Sequence, residues 1–318
     1  MKQFFLILAT AILSITLLAQ TPEVSTRNTV VENSTGINFI VTSDMGRAGF
    51  SKQRNIAAIL GRFAEENRID FLAVAGDPIH YNGVKSVTDK EWKRKIENVY
   101  TAASLHSMPW YVVSGNHEYI GNVQAILDYS NVSERWNAPA RYFSFTKQIG
   151  EMGENCLFIF IDTTPLIDKY RNRHGHDAGK QDMDAQLDWI KNELSTSNAK
   201  WKIVIGHHPV YAKTTKEISE RTDMQKRVGV LLEEYGADLY ICGHIHNFQY
   251  IKPPESTIRY IVNSSASRSR RVYEKDETAG MIFGNSDAGF SVFSVSTDSI
   301  DFFFVNHKGE KIYSQTIK

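Results

Sequence analysis

The sequence is short of the residues that define several protein classes. Two cysteines among 318 residues exclude a disulfide scaffold and a thiolate zinc cluster. Twenty glycines and eight prolines are too few for a collagen-like or linker-rich chain. There is no charge of one sign to spare: 36 Lys and Arg face 36 Asp and Glu. That balance argues against nucleic acid as a partner, since nucleic-acid binders carry a basic excess. After residue 20 no apolar run is long enough to span a bilayer. No internal repeat and no low-complexity linker breaks the chain. Hydrophobic residues make up 42% and charged residues 23%, which is ordinary globular usage and excludes wholesale disorder.

What is present begins at the N-terminus. Lys2 precedes an apolar stretch, Phe4 to Leu18, interrupted only by Thr10, Ser14 and Thr16, and Ala19 offers a small residue for cleavage. The pattern reads as a secretory signal peptide over residues 1–19, followed by a polar extension (20–35) and one domain (36–318). The alternative is a retained membrane anchor, but the run is shorter than the ~20 residues a span needs, so the protein is expected to be exported, periplasmic or secreted, without a membrane span once the signal is removed. Cys156 and Cys242 each adjoin an apolar run and read as inert core thiols.

From Ile37 onward strand-like and helix-like segments alternate. Ile37–Thr42, Ile69–Ala75, Trp110–Val113, Leu157–Ile161, Trp201–Ile205 and Leu239–Cys242 are short apolar runs of the buried-strand kind. Residues 52–67, 89–105, 183–195 and 222–235 read as helices. The alternation implies βαβ units around largely parallel strands. The last third changes character: Phe248–Ile251, Ile258–Val262, Phe290–Val295, Ile300–Val305 and Lys311–Ile317 read as strands without intervening helices. One α/β domain with two sheets is the expected outcome.

Five strands end in loops of unusual chemistry: Ser43-Asp44-Met45-Gly46, Gly76-Asp77-Pro78-Ile79-His80-Tyr81, Gly115-Asn116-His117-Glu118, Gly206-His207-His208 and Gly243-His244-Ile245-His246. Six of the ten histidines lie in these loops. Singly, each is an ordinary turn. Together they gather imidazole, carboxylate and amide oxygen at the carboxyl ends of consecutive strands, where α/β sheets place function. The donor set suits Zn, Fe or Mn. There are more donors than one ion needs, and two ions sharing a carboxylate would use them all. Such a pair suits in-line displacement at phosphorus.

The ordered set Asp44-x-Gly46, Gly76-Asp77, Gly115-Asn116-His117, Val204-x-x-His207 and Gly243-His244-x-His246 resembles the calcineurin-like metallophosphoesterase signature. More narrowly it is similar to the small, tartrate-resistant purple acid phosphatases, with Asn82-Gly83-Val84, Arg135-Trp136 and Asn247-x-Gln249-Tyr250 in support. The resemblance implies a four-layer α/β/β/α sandwich with two mixed central sheets. It implies hydrolysis of small-molecule or protein phosphomonoesters by attack of metal-bound hydroxide. Asp44 and His246 would bind the first metal, Asp77 would bridge, and Asn116, His207 and His244 would bind the second. His117 would face the substrate, contacting the phosphate or protonating the leaving group. The alternatives are a phosphodiesterase acting on nucleotides or lipid head groups, and a catalytically inactive binding protein.

The chain departs from the family at two places. Three residues after the second-motif Asp, the purple enzymes carry a tyrosinate that binds ferric iron and gives the colour. Here that position is His80, with Tyr81 one residue on. Either His80 takes the ligand position or the loop shifts and Tyr81 binds; the ungapped Asn82-Gly83-Val84 favours His80. About nine residues beyond the fourth-motif His, a substrate-facing His is replaced by Lys216, and His208 stands where Tyr is frequent. Either could assist the substrate phosphate, and a solvated surface lysine is the equal alternative for Lys216. Lys169–Lys180, with His174 and His176, is a polar insert that reads as a gate or as a loose loop.

Overall fold

The computed structural model describes residues 36–272 and 280–318. The signal peptide and extension expected over residues 1–35 lie outside the described residues. Among the described residues no helix is long and apolar enough to cross a membrane.

The described residues form fourteen strands, in order: β1 (Ile37–Thr42), β2 (Phe71–Ala75), β3 (Trp110–Val113), β4 (Trp136–Asn137), β5 (Phe143–Gln148), β6 (Asn155–Phe160), β7 (Trp201–Ile205), β8 (Leu239–Cys242), β9 (Phe248–Ile251), β10 (Arg259–Val262), β11 (Met281–Asn285), β12 (Gly289–Val295), β13 (Ile300–Asn306) and β14 (Lys311–Ile317). They form two seven-stranded sheets. One has the order β14-β13-β12-β1-β2-β3-β4 and the other β11-β9-β10-β8-β7-β6-β5. Both are mixed. β1, β2 and β3 run parallel, as do β6, β7 and β8. β12 to β14 form an antiparallel meander against β1.

The sheets pack face to face through aromatic side chains. Phe39 of β1 stacks on Phe71 at 4.9 Å and on Phe293 at 4.8 Å, and meets Phe158 of the other sheet edge-on at 5.3 Å. Each buried phenylalanine contributes about 1.5–3 kcal/mol by leaving water. The outer face of the first sheet is covered by helix Gln53–Glu66, whose Ile56, Ile59, Leu60 and Phe63 recur at helical spacing and are buried. The outer face of the second is covered by helix Met183–Thr196, through Ile190 and Leu194. This is the expected four-layer sandwich. Cys156 and Cys242 are both buried and unpaired.

The helix expected over residues 89–105 is a broken one. A turn at Lys90–Trp92 widens into a π-helical turn at Lys93–Glu97, and a separate helix covers Ala103–Ser107. Tertiary bonding explains the break. Ala102 is extended (φ −62°, ψ 139°), and the Tyr100 carbonyl just before it accepts from Arg135 Nη1 at 2.8 Å. Lys95, in the widened turn, is buried; it pairs with Glu91 at 2.7 Å and donates to the carbonyl of His80. Such widened turns recur at functional sites, and this one props up a site loop.

Candidate metal centre

The five loops meet where the carboxyl ends of β1, β2 and β3 face those of β7 and β8. They brace one another through backbone bonds. Asp44 N donates to Gly76 O (3.1 Å), Met45 N to Asp77 O (3.0 Å) and His80 N to Gly46 O (3.0 Å). Asp44, Asp77, His244 and His246 all hold left-handed backbone, with φ between 50 and 68°. For non-glycine residues that conformation costs of order 1–3 kcal/mol each and gathers at functional sites. Gly115 is required by a close approach: a Cβ there would lie 2.2 Å from Asp77 Oδ1.

Each carboxylate has one oxygen held and one turned inward. Asp44 Oδ2 accepts from His244 N at 3.0 Å, while Asp44 Oδ1 is buried without a hydrogen-bond partner and lies 2.9 Å from His246 Nε2. Asp77 Oδ1 accepts from His117 N at 3.0 Å. Asp77 Oδ2 faces His207 Nε2 at 3.2 Å, His80 Nε2 at 3.6 Å and His117 Nε2 at 3.8 Å. The imidazoles are fixed from behind. His207 Nδ1 lies 2.9 Å from Ala75 O, His246 Nδ1 lies 2.8 Å from Arg268 O, and His244 Nε2 lies 2.9 Å from Glu220 Oε2. This is how proteins orient metal-binding histidines. His244 Nδ1 is thereby left 3.2 Å from His207 Nε2.

His80 is buried, and neither ring nitrogen has a hydrogen-bond partner; the same holds for Asn116 Oδ1. Asp44, His80 and His246 each present a donor atom within 4.8 Å of the others, and so do Asp44, Asp77 and His207. Buried polar atoms left without partners cost free energy, and those of His80 lie in this donor cluster. The donors fit a pair of borderline cations. Tyr81 turns away: its ring is exposed and covers the Arg47 guanidinium at 4.7 Å.

Protonation follows from burial and proximity. Burial holds the His80 imidazole down to about 3 and keeps it neutral, the form that ligates. Burial and Lys216 hold His244 well below the ordinary imidazole range. Asp77 is well below the carboxylate range because His207 and His117 outweigh its burial. Burial opposes protonation of His207, but Asp77 overcomes it and lifts the imidazole to about 9.

The structure also places residues whose role was invisible in the sequence. Glu118, buried, accepts from Ile79 N (3.1 Å) and Gly115 N (2.8 Å), joining the second and third loops. Burial and then Asp77 lift its carboxyl to about 8. Glu220 takes Lys169 Nζ and Tyr170 OH, each at 2.9 Å, as well as His244. The polar insert from Lys169 is thus anchored at its start to the support of a site histidine, and His176 is buried beside Tyr119. Lys216 is half-buried, with Nζ 2.8 Å from His244 Nε2; burial and Arg270 bring its ammonium down to about 8. His208 is buried, with Nδ1 2.8 Å from Thr163 Oγ1 and Nε2 unpartnered.

The calcineurin-like phosphoesterase family model matches residues 37–248, and the chain belongs to that family. Within it, the chain is 30% identical to purple acid phosphatase 4 of Arabidopsis thaliana, over 96% of this chain and 92% of that one. It is 27% identical to human tartrate-resistant acid phosphatase type 5, over 87% and 89%. Among solved structures, GAP50, "the anchor in the inner membrane complex of Plasmodium", superposes with a TM-score of 0.78 at 25% identity, covering 89% of both chains. A yellow lupin purple acid phosphatase shares the fold with a TM-score of 0.65 at 18% identity, covering 90% of this chain and 54% of its own.

Proposed function

We propose that the protein is an exported phosphomonoesterase working through two metal ions of the Fe, Zn or Mn group. Asp44, His80 and His246 hold one ion, Asp77 bridges, and Asn116, His207 and His244 hold the other. His80 stands in for the tyrosinate of the purple enzymes. The observation that carries this reading is that Asp44, His80 and His246, and likewise Asp44, Asp77 and His207, bring donor atoms within 4.8 Å of one another, with both ring nitrogens of His80 buried and without hydrogen-bond partners. When bound, such ions supply Lewis acidity and lower the pKa of water.

The chain's own residues supply the rest. His117 is partly exposed at the edge of the cluster, and its Nδ1 is bonded to the Tyr81 carbonyl. Its other nitrogen is the group that protonates the departing alkoxide. His208 and Lys216 add donors on the His244 side, toward the substrate phosphate. The test is turnover of p-nitrophenyl phosphate against its bis ester, with metal analysis of the same sample. Faster hydrolysis of the monoester supports the reading, and preference for the bis ester makes the protein a phosphodiesterase. Full metal loading without turnover of either would favour a second reading, a binding protein, for which the likeness to the Plasmodium anchor speaks.

A further inference from the structure

Beside the metal loops lies a cavity of about 400 Å³ whose lining, among the described residues, holds four arginines, Arg47, Arg268, Arg270 and Arg271, and no carboxylate. The first comes from the loop after β1 and the others from the segment after β10, more than 200 residues later. Among the described residues none of the four has a carboxylate within 4.0 Å, although Arg94, Arg135 and Arg227 elsewhere do. Three of the four are exposed, which is unremarkable for arginine. Arg47 is different. It is 8% exposed, its Nε donates to Ser267 Oγ at 3.1 Å, and its Nη1 is buried without a hydrogen-bond partner. Tyr81 covers the guanidinium and Asp44 attracts it, while Arg268 repels it; the buried Nη1 still has no acceptor, and such a nitrogen is costly unless one reaches it.

The cavity shares a wall with the metal centre. His246 lines it, Arg270 N donates to His246 O at 2.7 Å, and His246 Nδ1 meets Arg268 O. A group seated on the arginines therefore lies beside the reacting phosphate and can belong to the same molecule. Guanidinium forks match phosphate oxygens two at a time, and the volume exceeds what one inorganic phosphate needs. We infer that the cavity is a second anion site, built by Arg47, Arg268, Arg270 and Arg271, and that the preferred substrate is a small phosphomonoester carrying a second phosphate. The substrate half of this inference rests on the phosphomonoesterase reading.

The test uses two matched pairs that differ only in a second phosphomonoester group: adenosine 5′-monophosphate against adenosine 3′,5′-bisphosphate, and fructose 6-phosphate against fructose 1,6-bisphosphate. In at least one pair kcat/KM should favour the second-phosphate compound about 10-fold or more. R268A/R270A should abolish that excess, and R268K/R270K should restore part of it. Equal kcat/KM in both pairs, or an excess that survives R268A/R270A, overturns the inference. If no phosphoester turns over, the phosphomonoesterase reading fails and the substrate half falls with it. The anion site is then read from calorimetric titration of the purified protein with inorganic pyrophosphate. Weakening about 10-fold or more in R268A/R270A supports the site, and equal affinity overturns it.

Discussion

His80 Nε2 faces Asp77 Oδ2 across 3.6 Å at the centre of the site, three residues along the same loop. On the proposed ligand assignment, a neutral imidazole takes the place of the anionic tyrosinate of the purple enzymes. The iron-loaded protein should show no strong visible charge-transfer band, and its iron should favour the divalent state. His80→Tyr should introduce the band. Visible spectra of both proteins check this, and a purple wild-type protein would refute it.

Glu220 Oε2 holds His244 from behind, 2.9 Å from Nε2. Glu220→Gln keeps the shape and removes the charge that orients the imidazole and pairs with Lys169. Metal affinity should fall about 10- to 100-fold. Competition with a chelator, read by metal content per chain, measures it directly and does not depend on activity.

His117 is assigned to the leaving group, so its loss should depend on what leaves. His117→Ala should cost about 10²-fold or more in kcat with alkyl phosphates. The loss should be much smaller with p-nitrophenyl phosphate, whose phenolate departs without help. An equal loss for both would make His117 a phosphate-binding residue instead.

Asp162 is buried, bonded to Tyr119 OH, and its desolvation lifts the carboxyl from 3.8 to about 7. The folded state therefore keeps a proton that the unfolded chain releases. The sign follows: this contribution to stability is complete below pH ~4 and is lost as pH rises through about 7. Asp162→Asn should flatten that part of the profile. Urea midpoints of both proteins between pH 4.5 and 8 test it, and parallel profiles would contradict it.

The strands that carry the site were legible because they are buried on both faces. β1, β3, β7 and β8 are runs of four to six residues, apolar almost throughout, and periodicity finds those readily. β5 was not legible: Phe143–Gln148 sits at a sheet edge, with only Phe143 fully buried among Ser144, Thr146 and Lys147. β4 has two residues and is set by its pairing with Trp110. The ligand loops announced themselves by residue type. Their supports did not, because Glu220 lies 24 residues from His244 and Ser267 lies 220 from Arg47. Local sequence records which side chains are present, and the crossing between sheets decides which of them meet.

That crossing has a consequence for how the molecule holds together. Asp44, Asp77, His80 and Asn116 come from one sheet and His207, His244 and His246 from the other, with Phe39 against Phe158 beneath them. Bound ions would rivet the two halves at one end of a seam that phenylalanines close along its length. Metal occupancy then reports on the seam itself. Phe158→Ala, made in the interior between the sheets, should weaken metal binding as well as cost about 3–5 kcal/mol of stability. Conversely, ion binding should raise the melting temperature in proportion to the logarithm of free metal concentration.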